Sequence, residues 1–210
     1  MEDTVMLLCD IGNTSYHFLD ENITYKKEVN TFNPSDIKKK IYYICVNEKV
    51  YKKLEKLNNW IDVSRLVEKN KYYKTMGIDR ICAVEDVQNA VIVDAGSAIT
   101  VDVVRDGKFM GGFIYPGVLA MRQTYKNISP ALALSFNFDL DLDIMPKNSQ
   151  DAISYGFLKT LYGEVVSYNL PIVLTGGDAQ VLQKIFKNAK FDEELIFDGM
   201  KYIIKKADRC

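Results

Sequence analysis

The chain has 210 residues, 48% of them hydrophobic, and its 27 Lys and Arg nearly cancel its 28 Asp and Glu. That composition gives enough apolar mass for a sizeable core, and a formal net charge of -1 excludes a protein that holds nucleic acid through bulk electrostatics, which needs a strongly basic face. The longest apolar runs, such as Val91–Val93 and Pro171–Leu174, fall far short of the roughly 20 residues that cross a bilayer. The acidic opening Met1-Glu2-Asp3 is unlike a signal peptide, so a soluble cytoplasmic chain with no membrane partner is expected. Cys9, Cys45, Cys82 and Cys210 are too widely spaced for a Cys-x-x-Cys pair and are expected as reduced thiols.

The first predicted element is an apolar strand from Val5 that closes on Asp10-Ile11-Gly12-Asn13-Thr14-Ser15. A carboxylate at a strand end, a glycine that lets backbone N–H groups approach an anion, and neutral donors on Asn, Thr and Ser suit a hairpin turn that grips phosphate. The same residues also suit an ordinary β-turn. Strands at Tyr16–Leu19 and Ile23–Val29 follow, then helices at Pro34–Lys40 and Glu48–Leu57 around a strand at Ile41–Val46. Gly77-Ile78-Asp79-Arg80 then opens a helix over Arg80–Asn89. Asp79 fits either an N-cap or a general base beside a cationic anchor.

A second copy of the opening plan begins at Val91: Asp94-Ala95-Gly96-Ser97 ends an apolar run 84 residues after Asp10-Ile11-Gly12. Strands at Ile99–Val104 and Lys108–Ile114 repeat the meander, so two α/β domains meeting near residue 90 are predicted. Gly111-Gly112 inside a strand pattern, followed by Pro116-Gly117, marks close backbone approach. Helices at Val118–Tyr125, Asp151–Tyr168, Ala179–Asn188 and Met200–Ala207 alternate with strands at Pro171–Thr175 and Leu195–Phe197. Thr175-Gly176-Gly177-Asp178 suits a strand-to-helix turn that could accept a base or ribose, or a plain left-handed turn. P-loop and dinucleotide fingerprints are absent. His17 is the single histidine, which gives no basis for a zinc cluster or a triad with Ser15.

In order, Asp10-Ile-Gly-Asn-Thr14, Gly77-Ile-Asp-Arg80, Asp94-Ala-Gly-Ser-Ala98 and Gly111-Gly-Phe-Ile-Tyr-Pro-Gly117 resemble the motif set of the type III pantothenate kinases, in the acetate kinase, sugar kinase, Hsp70 and actin superfamily. The resemblance spans roughly residues 5 to 180. It implies two duplicated ribonuclease-H-like (actin-like ATPase) domains with a cleft between them, 1–90 and 91–210. It also implies ATP-dependent phosphorylation of pantothenate, the first step of coenzyme A biosynthesis, in a homodimer that uses Mg²⁺ and a monovalent cation, K⁺ or NH₄⁺.

Residue by residue, the resemblance puts ATP on Asp10, Ile11, Gly12, Asn13, Thr14, Ser15, Tyr16, His17 and Ser97, with Asp10 on the Mg²⁺ shell. It puts pantothenate on Gly77, Ile78, Asp79, Arg80, Ser149 and a tyrosine, Tyr73, although the spacing also fits Tyr72. Asp79 becomes the catalytic base and Asp94 the ligand of the monovalent cation. Ser97 and Ser149 stand where the family has threonine, and both keep the hydroxyl.

A competing reading is an ATP-binding regulatory module of the same fold, such as a transcription accessory factor. Against it, a nucleotide switch needs no base beside an acceptor site, and no basic helix or zinc motif is available to reach DNA. The segments from Val118 to Tyr168 carry Leu119, Met121, Tyr125, Ile153, Phe157, Leu158, Leu161 and Tyr162. That is more apolar surface than one small domain covers, so these helices are expected to form a two-fold interface, or else to fill the groove between the halves.

Overall fold

The computed structural model describes residues 6–209; Met1-Glu2-Asp3, Val5 and Cys210 lie outside them. The described residues form ten strands: β1 (Leu7–Ile11), β2 (Ser15–Asp20), β3 (Ile23–Glu28), β4 (Ile41–Cys45), β5 (Trp60–Asp62), β6 (Ala90–Ala95), β7 (Ala98–Arg105), β8 (Lys108–Pro116), β9 (Ile172–Thr175) and β10 (Lys190–Phe191). The α-helices are α1 (Glu48–Leu54), α2 (Ile78–Val84), α3 (Val118–Ile128), α4 (Ser149–Ser167), α5 (Ala179–Leu182) and α6 (Leu195–Ala207). The chain divides into two units, Met1–Asp86 with Glu194–Cys210, and Val87–Glu193. Helix α6 therefore belongs with the first unit, whereas the sequence grouped all of 91–210 together.

The sheet of the first unit runs β3-β2-β1-β4-β5 and that of the second β10-β9-β6-β7-β8, the same order read from opposite ends. In each, the central strand pairs antiparallel with the strand after it and parallel with a later one. The 84-residue repeat is thus a duplication of topology. It puts Asp10 and Asp94 at the penultimate position of the two central strands.

Strand alternation splits the core of the first unit between two sheet faces. Leu7, Cys9, Ile11, Tyr16, Phe18, Ile41 and Tyr43 meet Val50 and Leu54 of α1 and Trp60. Leu8, Leu19 and Ile44 meet Cys82 of α2 and Phe197, Met200, Ile203 and Ile204 of α6. In the second unit, Val91, Val93, Ile99, Val101 and Val103 pack on α4 and α5. Each such fully buried aliphatic or aromatic side chain contributes about 1.5–3 kcal/mol.

The helix expected over Pro34–Lys40 is a single 3₁₀ turn, Pro34–Asp36, capped by Asn33. Leu195–Phe197, expected as a strand, is the first turn of α6. Three consecutive apolar residues fit either structure, and the helical spacing of Phe197, Met200, Ile203 and Ile204 decides. Strands β5 and β10 are too short to show a period. Helix α2 ends at Val84 instead of Asn89, and left-handed Asp86 (φ 62°) turns the chain just beyond it.

The eight residues expected to exceed the cover of one domain mostly find that cover at home. Ile153, Phe157, Leu158 and Leu161 are buried in the second unit's own core, and Met121, Tyr125 and Tyr162 pack partly against it. Only Leu119, 75% exposed, stands clear. The thiols of Cys9, Cys45 and Cys82 are free; burial pushes those of Cys9 and Cys82 far above their usual range and that of Cys45 up to about 11. Among the described residues no helix is long and apolar enough to cross a membrane.

Candidate active site

In the first unit, the turn after β1 closes with the Gly12 N–H donating to Ser15 O at 3.0 Å. Asn13 and Thr14 are exposed at its tip. The turn is braced from outside: Val29 N–H donates to Thr14 O at 3.0 Å, and Asn47 Nδ2 to Asn13 O at 3.4 Å. Asn47 Oδ1 also accepts the Lys49 and Val50 N–H groups, so one residue caps α1 and steadies the turn, a cap worth about 1 kcal/mol. Ile11 and Tyr16 turn their side chains into the core, which leaves only their backbone for a ligand.

Asp10 pairs with His17 across β1 and β2, on the face covered by α2 and α6. The His17 ring meets Phe197 edge-on at 4.9 Å. Burial, and then the charge of Lys26, lowers its pKa to about 4, so the imidazole is neutral near pH 7.

Gly77 precedes α2, and its carbonyl accepts the Ile81 N–H at 3.1 Å. Asp79 is therefore the second helical residue and not the N-cap, yet its Oδ1 still accepts an orphan donor of the first turn, Arg80 N–H, at 2.8 Å. Burial raises the pKa of Asp79, while this N–H and the Arg80 charge pull it back. Ile78 packs against the core of this face. Arg80, only 5% exposed, donates from Nη1 to Tyr73 Oη and lies 5.7 Å from the centroid of that ring. Tyr72 instead donates to Glu85 Oε1 at 2.9 Å. The charges of Asp10 and Asp79 add to the effect of burial in raising the pKa of the Cys82 thiol.

In the second unit, three backbone segments converge on Asp94. The turn after β6 closes from Gly96 N–H to Ala98 O at 3.1 Å and is one residue shorter than its counterpart, since Asp94 pairs with Thr100. Gly117, at the start of α3, lies directly on this turn: a Cβ there would overlap Ser97 O and come within 2.7 Å of Gly96 O. Gly176 (φ +89°) closes the third side. A Cβ there would overlap Asp94 Oδ1 and lie 2.8 Å from Ala95 N, while Asp178 N–H donates to Ala95 O at 2.9 Å.

Ser97 is exposed in its turn. Ser149 is exposed in the first turn of α4, where Asn148 Oδ1 caps Asp151 N–H at 2.9 Å. No hydrogen bond among the described residues links Ser149 to the Asp94 turn. The sequence reading missed Asp102, a carboxylate 1% exposed that strand alternation puts on the Asp94 face of the sheet. Its signal was an acid between the core residues Val101 and Val103.

The donor sets suit the expected cations. Asp10, at the penultimate position of β1, offers a single carboxylate of the kind that meets Mg²⁺ carried mainly by phosphates and water. Asp94, flanked in register by Thr100 and Thr175, offers the oxygen donors that a hard monovalent cation prefers.

A family model described as type III pantothenate kinase matches residues 52–169. The chain is 61% identical over 205 residues to the type III pantothenate kinase of Sulfurimonas denitrificans, covering 98% of this chain and 100% of that one. It is 40% identical over 203 residues to that of Campylobacter jejuni, covering 96% and 97%. A solved Campylobacter jejuni structure described as a Baf family transcriptional activator superposes with a TM-score of 0.87 at 39% identity, covering 98% of this chain and 100% of that one. Component A of (R)-2-hydroxyglutaryl-CoA dehydratase from Acidaminococcus fermentans, 13% identical with a TM-score of 0.51 over 98% and 100% of the two chains, shares the fold alone. The duplicated sheets are those of the actin-like ATPase and sugar kinase fold.

Proposed function

The chain belongs to the type III pantothenate kinase family, and from that premise we propose that Asp79 takes the proton from the primary hydroxyl of pantothenate as it receives the γ-phosphoryl group of ATP. The observation that carries this reading is the setting of Asp79: a desolvated carboxylate with Oδ1 fixed by Arg80 N–H, beside a buried guanidinium. Burial raises its affinity for a proton, while the Arg80 N–H and guanidinium charge pull the other way. A base so poised supplies on the order of 10²–10⁴ in rate.

Arg80, with its guanidinium steadied by Tyr73, is a charge-assisted donor for the substrate carboxylate. The Gly12–Ser15 turn offers backbone N–H and hydroxyl donors to phosphate. Asp10 would hold Mg²⁺ through its water shell, and Asp94 with Thr100 and Thr175 would hold K⁺ or NH₄⁺. Both cations, when bound, neutralise charge on the phosphates. In phosphoryl transfer, positioning and charge stabilisation of this kind supply most of the catalysis.

The regulatory reading is not favoured, because it leaves Asp79 and Arg80 without a role. A homodimer in the cytoplasm completes the proposal. It is supported by an uncovered apolar surface on edge strand β8 (Met110, Ile114) and on α3 (Leu119, Ile128), a helix with no buried residue. The deciding experiment is an ATP-dependent phosphorylation assay across pantothenate, pantetheine, acetate and hexoses, in K⁺ and again in Na⁺. Phosphorylation of pantothenate alone, stronger in K⁺, is expected. Turnover of a hexose but not pantothenate would refute the reading.

A further inference from the structure

Helix α2, which carries Asp79 and Arg80, has seven residues, too few to persist without tertiary support. Its support is α6. Gly199 of α6 lies directly on the α2 backbone: a Cβ built there would overlap Cys82 O and lie 2.6 Å from Cys82 C. Only glycine allows an approach this close. On either side of this contact, Phe197 and Met200 are buried in the same cluster as Cys82, so α6 cannot slide away to make room.

The last turn of α6 holds a second part of the acceptor segment. Lys206 Nζ pairs with Glu68 Oε1 at 2.6 Å, and Glu68 Oε2 pairs with Lys71 at 3.1 Å, directly before Tyr72 and Tyr73.

We infer that α6 is the positioning element of the acceptor site, with Gly199 setting the depth of α2, and so of Asp79, and Lys206 setting the course of the segment that carries Tyr73. This rests on Asp79 as the base. The Gly12–Ser15 turn is braced by Val29 and Asn47 instead, so its contacts with ATP should be spared. Relieving the overlap requires a backbone shift on the order of 1 Å, a displacement that can cost 10²-fold in rate at a catalytic group.

Gly199→Ala is therefore expected to lower kcat 10- to 100-fold with the KM for ATP unchanged within twofold. Ile203→Ala opens a cavity in the same helix without touching the Cys82 carbonyl; it should lower Tm at least as much and keep kcat near wild type well below its Tm. Wild-type kcat in Gly199→Ala, or an equal kcat loss in Ile203→Ala, would overturn the inference. Should Gly199→Ala not fold, Lys206→Met, which removes no core side chain, is expected to raise the pantothenate KM three- to tenfold at constant ATP KM; an unchanged pantothenate KM would overturn it. Asp79→Asn run in parallel separates the two levels. Wild-type turnover there overturns the base assignment and this inference with it, whereas an inactive Asp79→Asn beside a fully active Gly199→Ala overturns the positioning role alone.

Discussion

The Asp79 carboxylate folds back over Gly77 so closely that a methyl group at position 77 would overlap Oδ1. Gly77 has φ -62° and ψ 143°, a conformation alanine adopts freely, so backbone strain plays no part. Gly77→Ala should leave Tm unchanged or slightly raised, since less chain entropy is lost on folding. It should nonetheless lower kcat about tenfold by turning the carboxylate away. Thermal melts and initial rates on one preparation test both halves, and full turnover would detach Asp79 from its observed rotamer.

Asp79→Asn should separate function from stability. Burial raises the folded-state pKa of Asp79 above the ordinary aspartate value of 3.8. Its titration therefore favours the fold below about 3.8 and loses that contribution as pH rises through the folded pKa. Desolvation of the charged form opposes folding, and asparagine removes that charge while keeping the acceptor for Arg80 N–H. Turnover should fall by a factor on the order of 10²–10⁴ while Tm at pH 7 holds or rises, and a clear drop in Tm would contradict the balance described.

Tyr72 and Tyr73 should respond differently to loss of their hydroxyls. Tyr73→Phe removes the hydroxyl that accepts from Arg80 Nη1 and should raise the pantothenate KM several-fold. Tyr72→Phe removes a bond to Glu85 and should cost about 1 kcal/mol of stability with KM unchanged. Steady-state kinetics with pantothenate varied distinguishes them; equal effects on KM would deny Tyr73 its special place.

Cation activation should depend on Gly176. Alanine there meets both a positive φ and Asp94 Oδ1, so Gly176→Ala should abolish the advantage of K⁺ or NH₄⁺ over Na⁺, as should Asp94→Asn. Rates at constant ionic strength in the three salts provide the measurement. A preserved K⁺ preference in both variants would place the cation elsewhere.

His17 should make the fold acid-sensitive. Its pKa falls from 6.5 to about 4 on folding, so the unfolded chain binds the extra proton between those values. Its contribution is fully present above about 6.5 and is lost as pH falls toward 4. His17→Gln should flatten the dependence of Tm on pH across that window, and parallel slopes in the two proteins would show His17 to be solvated.

The meander, the 84-residue repeat and the strand-end aspartates were legible because each is local: alternation, a turn and a spacing. Asp79 was visible as an acid at a helix start, yet its burial depends on Cys82 meeting the sheet, a contact no local pattern encodes. The same applies to Gly117 on the Ser97 carbonyl and Gly176 on Asp94, where the missing side chain matters only because a distant segment passes there. Ile153, Phe157, Leu158 and Leu161 misled for a related reason. An apolar helix looks the same from sequence whether a partner or its own sheet covers it.

Because the first unit is completed by Glu194–Cys210 while the second is the uninterrupted stretch Val87–Glu193, the order of synthesis sets the order of assembly. The second unit can fold as soon as it emerges. Leu8, Leu19, Ile44 and Cys82 must wait for α6 to cover them, roughly 6–40 s at translation speeds of about 5–20 residues per second. During that interval the nascent chain presents an oily sheet face, a surface chaperones hold and proteases exploit. A chain cut short just after Glu193 would carry the whole of the second unit and a base-bearing helix with nothing to lie on.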